Sequence, residues 1–187
     1  MTVPEFPAIL GELEGVLREV EETKVLALED RISGASRIYA AGAGRTGFVM
    51  RAFAMRLMHL GLEVHVVGEV TTPAIEGDDL LIIGSGSGET PSLVAMAQRA
   101  RAIGAGLALL TTRPASSIGQ LAQVLLPLDA PTPKAVRPEA RARSSIQPMG
   151  SLFEQALFIL LDAVVLRLAR ERGASFEEMF ARHANLE

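Results

Sequence analysis

Five short, mainly apolar runs that alternate with helical patterns constrain the fold of this chain most strongly. Each run stops at a glycine, a threonine or a proline, and the runs are Arg37–Ala41, Glu63–Val67, Leu80–Ile83, Gly106–Leu110 and Val124–Leu126. Continuous apolar runs of this length are typical of strands that are buried on both faces of a sheet. The helical patterns between them cover Thr46–Leu60, Thr90–Ile103 and Ala115–Ala122. This alternation predicts βαβ units, and hence an α/β three-layer sandwich in which a five-stranded parallel sheet is flanked by helices.

The N-terminal part of the chain predicts one more helix. Apolar residues recur at three- and four-residue spacing from Phe6 to Val20, so we expect a long amphipathic helix over residues 5–33. Because 187 residues suit little more than one domain, we expect a single domain over residues 1–187.

The C-terminal part predicts a loop and then two helices. Five prolines make residues 127–148 a loop, and a strongly apolar helix follows from about residue 150 to residue 172. Ser175 and Glu178 form a capping-box pattern for a short last helix over residues 176–182. Residues 150–187 therefore form a C-terminal helix and tail.

Composition excludes several classes of function. With no cysteine, the chain has no disulfides, thiolate metal sites or cysteine nucleophiles. A net charge of −4 gives no field that attracts nucleic acid. The longest apolar stretch, Ala156–Ala169, contains Asp162 and Arg167 and is too short to span a membrane. Since acids stand where a signal peptide needs bases, we expect a cytoplasmic protein with neither nucleic acid nor membrane as a partner.

The first glycine-rich turn, Gly42–Gly47, has the pattern G-x-G-x-x-G between a predicted strand and a predicted helix. This pattern is found in dinucleotide-binding proteins, where an acid about twenty residues later binds the ribose. Glu63 and Glu69 lie near that spacing, but neither stands at the end of the next strand. A tight strand-to-helix turn is the simpler interpretation of the same glycines.

The second glycine-rich turn, Gly84–Thr90, alternates glycines with hydroxyl residues, again between a strand and a helix. Glycines allow the backbone to fold around an anion, and the N–H groups and dipole of the helix start favour negative charge. Without a lysine the turn is not an ATP-binding loop, so it suits a phosphate monoester that is held but not transferred. The alternative is an N-capped loop with no ligand. Both turns follow parallel strands at their carboxyl ends, where open α/β sheets bind ligands.

Glu154 lies in the first turns of the predicted apolar helix and continues the stripe of Phe158, Leu161 and Val165. A carboxylate on such a stripe loses hydration, which suits a general base. An acid that points to solvent, favoured there by the helix dipole, is an equally good interpretation.

The histidines give no metal site. His59, His65 and His183 show neither an H-x-x-H nor an H-E-x-x-H spacing, so no metal is expected. His183 lies in the tail, where an exposed histidine usually has no role.

Taken together, Gly42–Gly47, Gly84–Thr90 and Gly150–Glu154 resemble the corresponding motifs of the sugar isomerase (SIS) family. Within it, the segment Ala54–Gly61 and the tail Ala181–Glu187 are similar to those of the 6-phospho-3-hexuloisomerases, as is the stretch from Val67 to Ala74. The resemblance covers nearly the whole chain. One departure is Thr46, where the family has serine, and the hydroxyl is kept.

The resemblance implies that the chain interconverts 3-hexulose 6-phosphate and fructose 6-phosphate in the ribulose monophosphate route of formaldehyde fixation. It also implies a homotetramer that needs no cofactor. Other SIS aldose–ketose phosphate isomerases, and SIS modules that bind a sugar phosphate without catalysis, share the fold and remain alternatives. An oxidoreductase that uses the first glycine turn for NAD(P) is a further alternative.

The resemblance also implies roles for particular residues. Glu154 is expected to be the catalytic base that forms an enediolate, and Arg45 or Arg51 to stabilise the enediolate oxygen. His183 is expected near the sugar, in its own or a neighbouring subunit, as a second catalytic residue. The residues expected to bind the substrate and its phosphate are Gly44, Arg45, Thr46, Arg51, Ser85, Gly86, Ser87, Gly88, Glu89 and Thr90.

Overall fold

The computed structural model describes residues 3–132 and 144–186. At its centre is a parallel sheet of five strands in the order β2-β1-β3-β4-β5. The strands are β1 (Ile38–Gly42), β2 (Val64–Val66), β3 (Leu80–Gly84), β4 (Gly106–Thr111) and β5 (Val124–Pro127). Each strand lies on one of the predicted apolar runs.

Helices cover both faces of this sheet. They are α1 (Glu5–Leu17), α2 (Glu22–Gly34), α3 (Gly44–His59), α4 (Pro91–Ile103), α5 (Ser151–Arg172) and α6 (Phe176–Phe180). Side chains of β1 alternate between two apolar clusters: Ile38 and Ala40 pack with α1, α2, α3 and α5, whereas Tyr39 and Ala41 pack with α4. The predicted three-layer α/β sandwich is thereby confirmed.

The strand order creates a crevice at one edge of the sheet. The chain leaves β1 for β2 through α3, then returns to β3 on the other side of β1 and continues into α4. Since α3 and α4 pack on opposite faces, they diverge from the carboxyl ends of β1 and β3. Such a switch point is where open α/β sheets bind their ligands.

The opposite, amino edge of the sheet is held by an ion pair. The Arg37 guanidinium donates two hydrogen bonds to the Asp79 carboxylate, from Nε at 3.0 Å and from Nη2 at 2.9 Å. The side chain of Asp79 is fully buried. Hydrogen bonding to Asp79 raises the pKa of Arg37 above its usual value, so the guanidinium stays charged. It ties the start of β1 to the start of β3.

The prediction of one continuous helix over residues 5–33 is wrong, because the chain forms α1 and α2 with a turn between them. Glu21 has an extended backbone, with φ −72° and ψ 124°. The turn lets Leu13 and Val16 of α1, together with Leu28 and Ile32 of α2, reach the same core. Because residues 16–33 contain no glycine or proline, the sequence gives no local signal for this turn.

The helix predicted over Ala115–Ala122 is also absent, because these residues form a series of turns after β4. The bonds within the segment, such as Gln120 N–H to the carbonyl of Ser116 at 2.9 Å, close separate turns, and Ile118 N–H donates to the carbonyl of Gly88 in the second glycine-rich turn at 3.3 Å. The apolar positions that suggested a helix, such as the fully buried Ile118, pack with α4.

The C-terminal predictions are largely confirmed. Helix α5 ends at Gly173, which has the left-handed conformation that favours glycine, and Ser175 and Glu178 form the predicted capping box. Helix α6 is shorter than predicted and ends at Phe180. Of the predicted loop over residues 127–148, residues 133–143 lie outside the described part of the chain. No helix among the described residues has the length and apolar character needed to cross a membrane.

Burial in the larger cluster predicts where the chain is sensitive to truncation. Leu157 of α5 is fully buried, so we expect Leu157→Ala to lower the free energy of unfolding by about 2–5 kcal/mol through lost contacts and a cavity. Leu10→Ala is the matched control, because Leu10 is 64% exposed on α1. Urea denaturation measures both, and an equal loss in the two variants would contradict the described core.

Candidate active site

A cavity of about 310 Å³ opens at the crevice between β1 and β3. We call it the loop cavity. Both glycine-rich turns and the start of α5 contribute to its wall, so the three sequence motifs meet at one place. The lining residues are Ala43, Gly44, Arg45, Thr46, Gly84, Ser85, Gly86, Ser87, Thr90, Leu93, Thr132, Met149, Gly150, Phe153 and Glu154.

The N-termini of three long helices point at this cavity. Helix α3 begins at Gly44, α4 follows its N-cap Thr90, and α5 follows its N-cap Gly150. Each N-terminus carries roughly half a positive charge and unpaired backbone N–H groups. The cavity is therefore suited to a ligand that carries several negative charges, such as a phosphate monoester.

Close packing explains the glycine that begins the second turn. A Cβ on Gly84 would lie 2.7 Å from Sδ of Met50 and 3.1 Å from Cγ2 of Thr46, so a larger residue would have to displace these two side chains of α3. In the first turn, a Cβ on Gly47 would lie 2.8 Å from the carbonyl oxygen of Gly42. These contacts favour the interpretation of the first turn as a tight strand-to-helix connection.

Two serine hydroxyls shape the second turn and keep their hydrogens for a ligand. Ser85 Oγ accepts from Gly88 N–H at 3.1 Å, and Ser87 Oγ accepts from Glu89 N–H at 3.2 Å. Both serines are buried, at 4% and 6% exposure, and both line the cavity. A hydroxyl whose oxygen accepts an internal bond can still donate its hydrogen to an anion.

Glu154 and Arg45 form an ion pair at the rim of the cavity. Arg45 Nε lies 3.0 Å from Glu154 Oε2, and Arg45 Nη1 donates to Ser151 Oγ at 3.2 Å. The Glu154 side chain is 16% exposed, whereas that of Arg45 is 64% exposed. Of the two interpretations left open for Glu154, the geometry favours a partly dehydrated carboxylate that faces the cavity.

Three of the predicted substrate-binding residues do not line the cavity. Arg51 lies further along α3, where its Nη1 is 3.0 Å from Glu69 Oε1. Glu89 faces away and accepts from Ser117 N–H at 2.9 Å. Hydrogen bonds from the Ser117 hydroxyl and backbone N–H hold the pKa of Glu89 below its usual value. Gly88 stands behind the turn, against Ser116.

His183 lies at the other end of α3 and α5, away from Glu154 of the same chain. It lines a second cavity of about 510 Å³, the tail cavity, together with His59, Asp162 and Phe180. The His183 ring stacks on His59 with centroids 5.6 Å apart. Burial, with smaller effects of Arg56 and His183, lowers the pKa of His59 below 6.5 and keeps its ring neutral at neutral pH.

Several lining residues were not predicted from the sequence. Leu93, Thr132 and Phe153 supply part of the wall, and Phe153 could have been suspected because it precedes Glu154. Met149 has φ 58°, a conformation rare outside glycine, and no sequence signal marks it. Among residues 3–132 and 144–186, no group of three or more histidines and carboxylates is placed to hold a metal ion.

The rim that carries Met149 is connected to the N-terminal helix. The Glu12 carboxylate of α1 accepts from Ser145 Oγ and Ile146 N–H at 2.8 Å, and from Gln147 Nε2 at 3.0 Å. Burial alone would raise the pKa of Glu12, but these hydrogen bonds outweigh it and lower the pKa. Helix α1 therefore holds the segment that leads into Gly150 and α5.

A parallel sheet of this order, with two glycine-rich turns and a carboxylate at its switch point, points to a class of α/β proteins. The model of the SIS domain matches residues 31–159, and the chain belongs to this family. The matched region contains both glycine-rich turns and Glu154, so it covers the loop cavity.

Relatives of the same length narrow the class. The chain is 43% identical to the 3-hexulose-6-phosphate isomerase of Bacillus subtilis, with all of both chains covered. It is 42% identical to the protein of that name from Mycobacterium gastri, over 96% of this chain and 88% of the relative. The predicted resemblance to this group is confirmed, and the chain is an isomerase.

A solved structure agrees with these relatives. The crystal structure of a Methanococcus jannaschii protein has a TM-score of 0.85 to this chain. From that structure, a molecular function of 3-hexulose-6-phosphate isomerase was inferred for the Methanococcus protein. The two chains are 33% identical, with 99% of this chain and all of the other covered.

Gly88 provides a test of how tightly the second turn is supported. It has φ +64°, and a Cβ there would lie 1.9 Å from Ser116 Oγ. We expect Gly88→Ala to lose about 1–2 kcal/mol from backbone strain and a further 1–3 kcal/mol from the clash. Gly104→Ala is the control, since Gly104 has φ +94° with nothing within 4 Å of a Cβ. Equal losses on chemical denaturation would show that Ser116 does not support the turn.

Proposed function

We propose that this protein is a phosphosugar isomerase that interconverts 3-hexulose 6-phosphate and fructose 6-phosphate through an enediolate. The observation that carries the proposal is the partly dehydrated Glu154 beside Arg45, at a cavity where three helix N-termini converge. The names of the relatives with full-length similarity support this choice of substrate.

The substrate enters the cavity as an open chain. In a 3-ketose 6-phosphate the 6-oxygen is esterified, and attack of the 5-oxygen on C3 would close a four-membered ring. No ring-opening step is therefore needed, and the site has to bind a phosphate and move protons between C2 and C3. The residues of the loop cavity are sufficient for this without a cofactor.

The phosphate is proposed to bind in the second glycine-rich turn. Ser85, Ser87 and Thr90 provide hydroxyl groups there, and Thr46 reaches the same wall from α3. Thr90 is the N-cap of α4, and its side chain makes no capping hydrogen bond in the described structure, so its hydroxyl is left for the anion.

Glu154 is proposed to take the proton from C2, which gives a 2,3-enediolate, and to return it to C3. As the C2–H bond breaks, its electron pair forms the C2–C3 double bond and the C3 carbonyl oxygen gains negative charge. Arg45 stands next to Glu154 and is the arginine proposed to stabilise this oxygen. Arg51 is not proposed for this role, because it is paired with Glu69 outside the cavity.

We also propose a homo-oligomer, and exposed apolar side chains on two neighbouring helices support it; the choice of a tetramer rests on the family resemblance alone. Phe48, Met55 and Met58 of α3 and Phe158, Ile159 and Leu166 of α5 are between 37% and 72% exposed. We call this surface the α3–α5 face. Large apolar side chains at such density on one surface favour contact with another protein surface.

A two-fold contact through the α3–α5 face would bring His183 of the partner subunit to the loop cavity. Both helices begin at the loop cavity and run to the tail cavity, and α3, with 16 residues, is about 24 Å long. A two-fold axis across the middle of the face exchanges its ends. The imidazole would then be placed to move protons between the enediolate oxygens.

The wider setting of the protein is also proposed. We propose that residues 1–187 act as one SIS domain in the cytoplasm, in the ribulose monophosphate route of formaldehyde fixation. The support is the similarity to full-length isomerases, which spans all of the chain.

Glu154→Gln tests the assignment of the base. Mixing wild-type protein with 3-hexulose 6-phosphate should form fructose 6-phosphate, and the variant should be about 10²–10⁴-fold slower, because a positioned base supplies that much. Binding of inorganic phosphate, measured by calorimetry, should be unchanged. A variant that keeps more than a tenth of the wild-type rate would place the base elsewhere. A wild-type protein that binds the substrate without converting it would instead indicate a sugar-phosphate-binding module.

Hybrid oligomers test whether His183 acts between subunits. His183→Ala should lower kcat with little change in melting temperature. When it is mixed with Glu154→Gln under conditions of subunit exchange, roughly one site in four regains both groups, so activity should recover to that fraction of the wild type. No recovery after proven exchange would contradict action across the interface.

A further inference from the structure

The turns that replace the predicted helix after β4 lie directly behind the second glycine-rich turn. Residues 111–118, which comprise the last residue of β4 and the first of these turns, are here called the cradle. They donate hydrogen bonds to three acceptors of the second glycine-rich turn. Besides the bonds to Gly88 and Glu89 described above, three donors of the cradle converge on the carbonyl oxygen of Gly86. They are Thr111 Oγ1 at 3.1 Å, Thr112 Oγ1 at 2.9 Å and Thr112 N–H at 3.1 Å.

The Gly86 carbonyl is therefore fixed on the side of the turn opposite the cavity. Thr111 and Thr112 are 0% and 4% exposed, and neither lines the loop cavity, whereas Gly86 and Ser87 do. The peptide bond between Gly86 and Ser87 is trans. In a planar trans peptide, the carbonyl of one residue and the N–H of the next point in opposite directions.

This geometry accounts for a buried donor. Ser87 is 6% exposed, and none of the residues that the structure describes accepts a hydrogen bond from its backbone N–H. Since Ser87 lines the loop cavity, an acceptor for this N–H can come from a ligand bound there. If the peptide were reversed, its carbonyl oxygen would face the cavity and repel an anion.

We propose that Thr111 and Thr112 are positioning residues: by holding the Gly86 carbonyl away from the cavity, their hydroxyls direct the Ser87 N–H at the phosphate of the substrate. They do not touch the substrate themselves. This inference rests on the proposed function, because it assumes that the second turn binds a phosphate. It adds to the proposed function an explanation of how the Ser87 N–H is oriented.

The first test replaces each hydroxyl by a methyl group. In Thr111→Val and Thr112→Val, the KM for 3-hexulose 6-phosphate and the inhibition constant for inorganic phosphate should rise together by about tenfold, the loss expected for one hydrogen bond to a charged group. The value of kcat should change by less than twofold, since Glu154 is untouched. Thr111→Ser and Thr112→Ser keep the hydroxyl and should restore both constants.

Thr72→Val is the matched control. Thr72 also donates its hydroxyl to a backbone carbonyl, that of Val66 at 2.6 Å, but it does not line the loop cavity. A purely structural effect would lower the melting temperature in all three valine variants and leave the KM unchanged. Valine variants with a wild-type inhibition constant for phosphate, or serine variants that fail to restore it, would overturn the proposal.

A second measurement needs no variant. Inorganic phosphate is added to wild-type protein labelled with ¹⁵N, and the backbone amide of Ser87 is followed by NMR. We expect its proton resonance to move downfield to saturation, together with that of Thr90. If other amides of the turn respond and Ser87 does not, the positioning role is overturned while the phosphate site stands. If no amide of the turn responds, the phosphate site itself fails, and the positioning role fails with it.

Discussion

Burial of the parallel sheet on both faces is the constraint on which the rest of this structure depends. Strands packed between two helical layers have apolar side chains on either side, so polar groups can gather only beyond their ends. At the carboxyl ends, the reversal of strand order between β1 and β3 separates α3 from α4, and α5 closes the third side. Positive helix ends and donors therefore collect there because of the chain path, before any particular side chain is considered.

Within that setting, two kinds of contact divide the work. Glycines let backbones come together, as at Gly47, which packs against the carbonyl group of Gly42. Buried hydroxyls then orient the backbone, as in the cradle, where Thr111 and Thr112 hold the Gly86 carbonyl on the side away from the cavity. The result is a pocket whose polar side chains are mostly hydroxyl groups, with Arg45 and the carboxylate of Glu154 at its rim.

The sequence was informative where one local interaction decides the structure. Strand positions follow from unbroken apolar runs, and the capping box of α6 from Ser175 and Glu178. Predictions from the sequence were wrong where contacts between distant parts of the chain decide the local structure. The turn between α1 and α2 has no glycine or proline, and residues 115–122 carry a helical pattern but form separate turns, one of which is bonded to Gly88 of a distant loop. For the site, Glu154 and the serines could be identified from their motifs. Met149 and Thr132 could not, because only the folded chain brings them to the cavity.

The ion pair between Arg37 and Asp79 stabilises the sheet at a distance from the loop cavity. It joins β1 and β3 at the edge opposite the loop cavity, and a five-residue strand, roughly 16 Å, separates the two places. The same two strands thus carry the ion pair at one end and the loop cavity at the other. At such a distance the effects of substitutions are largely independent, so the strength of this join and the properties of the cavity can change separately in evolution.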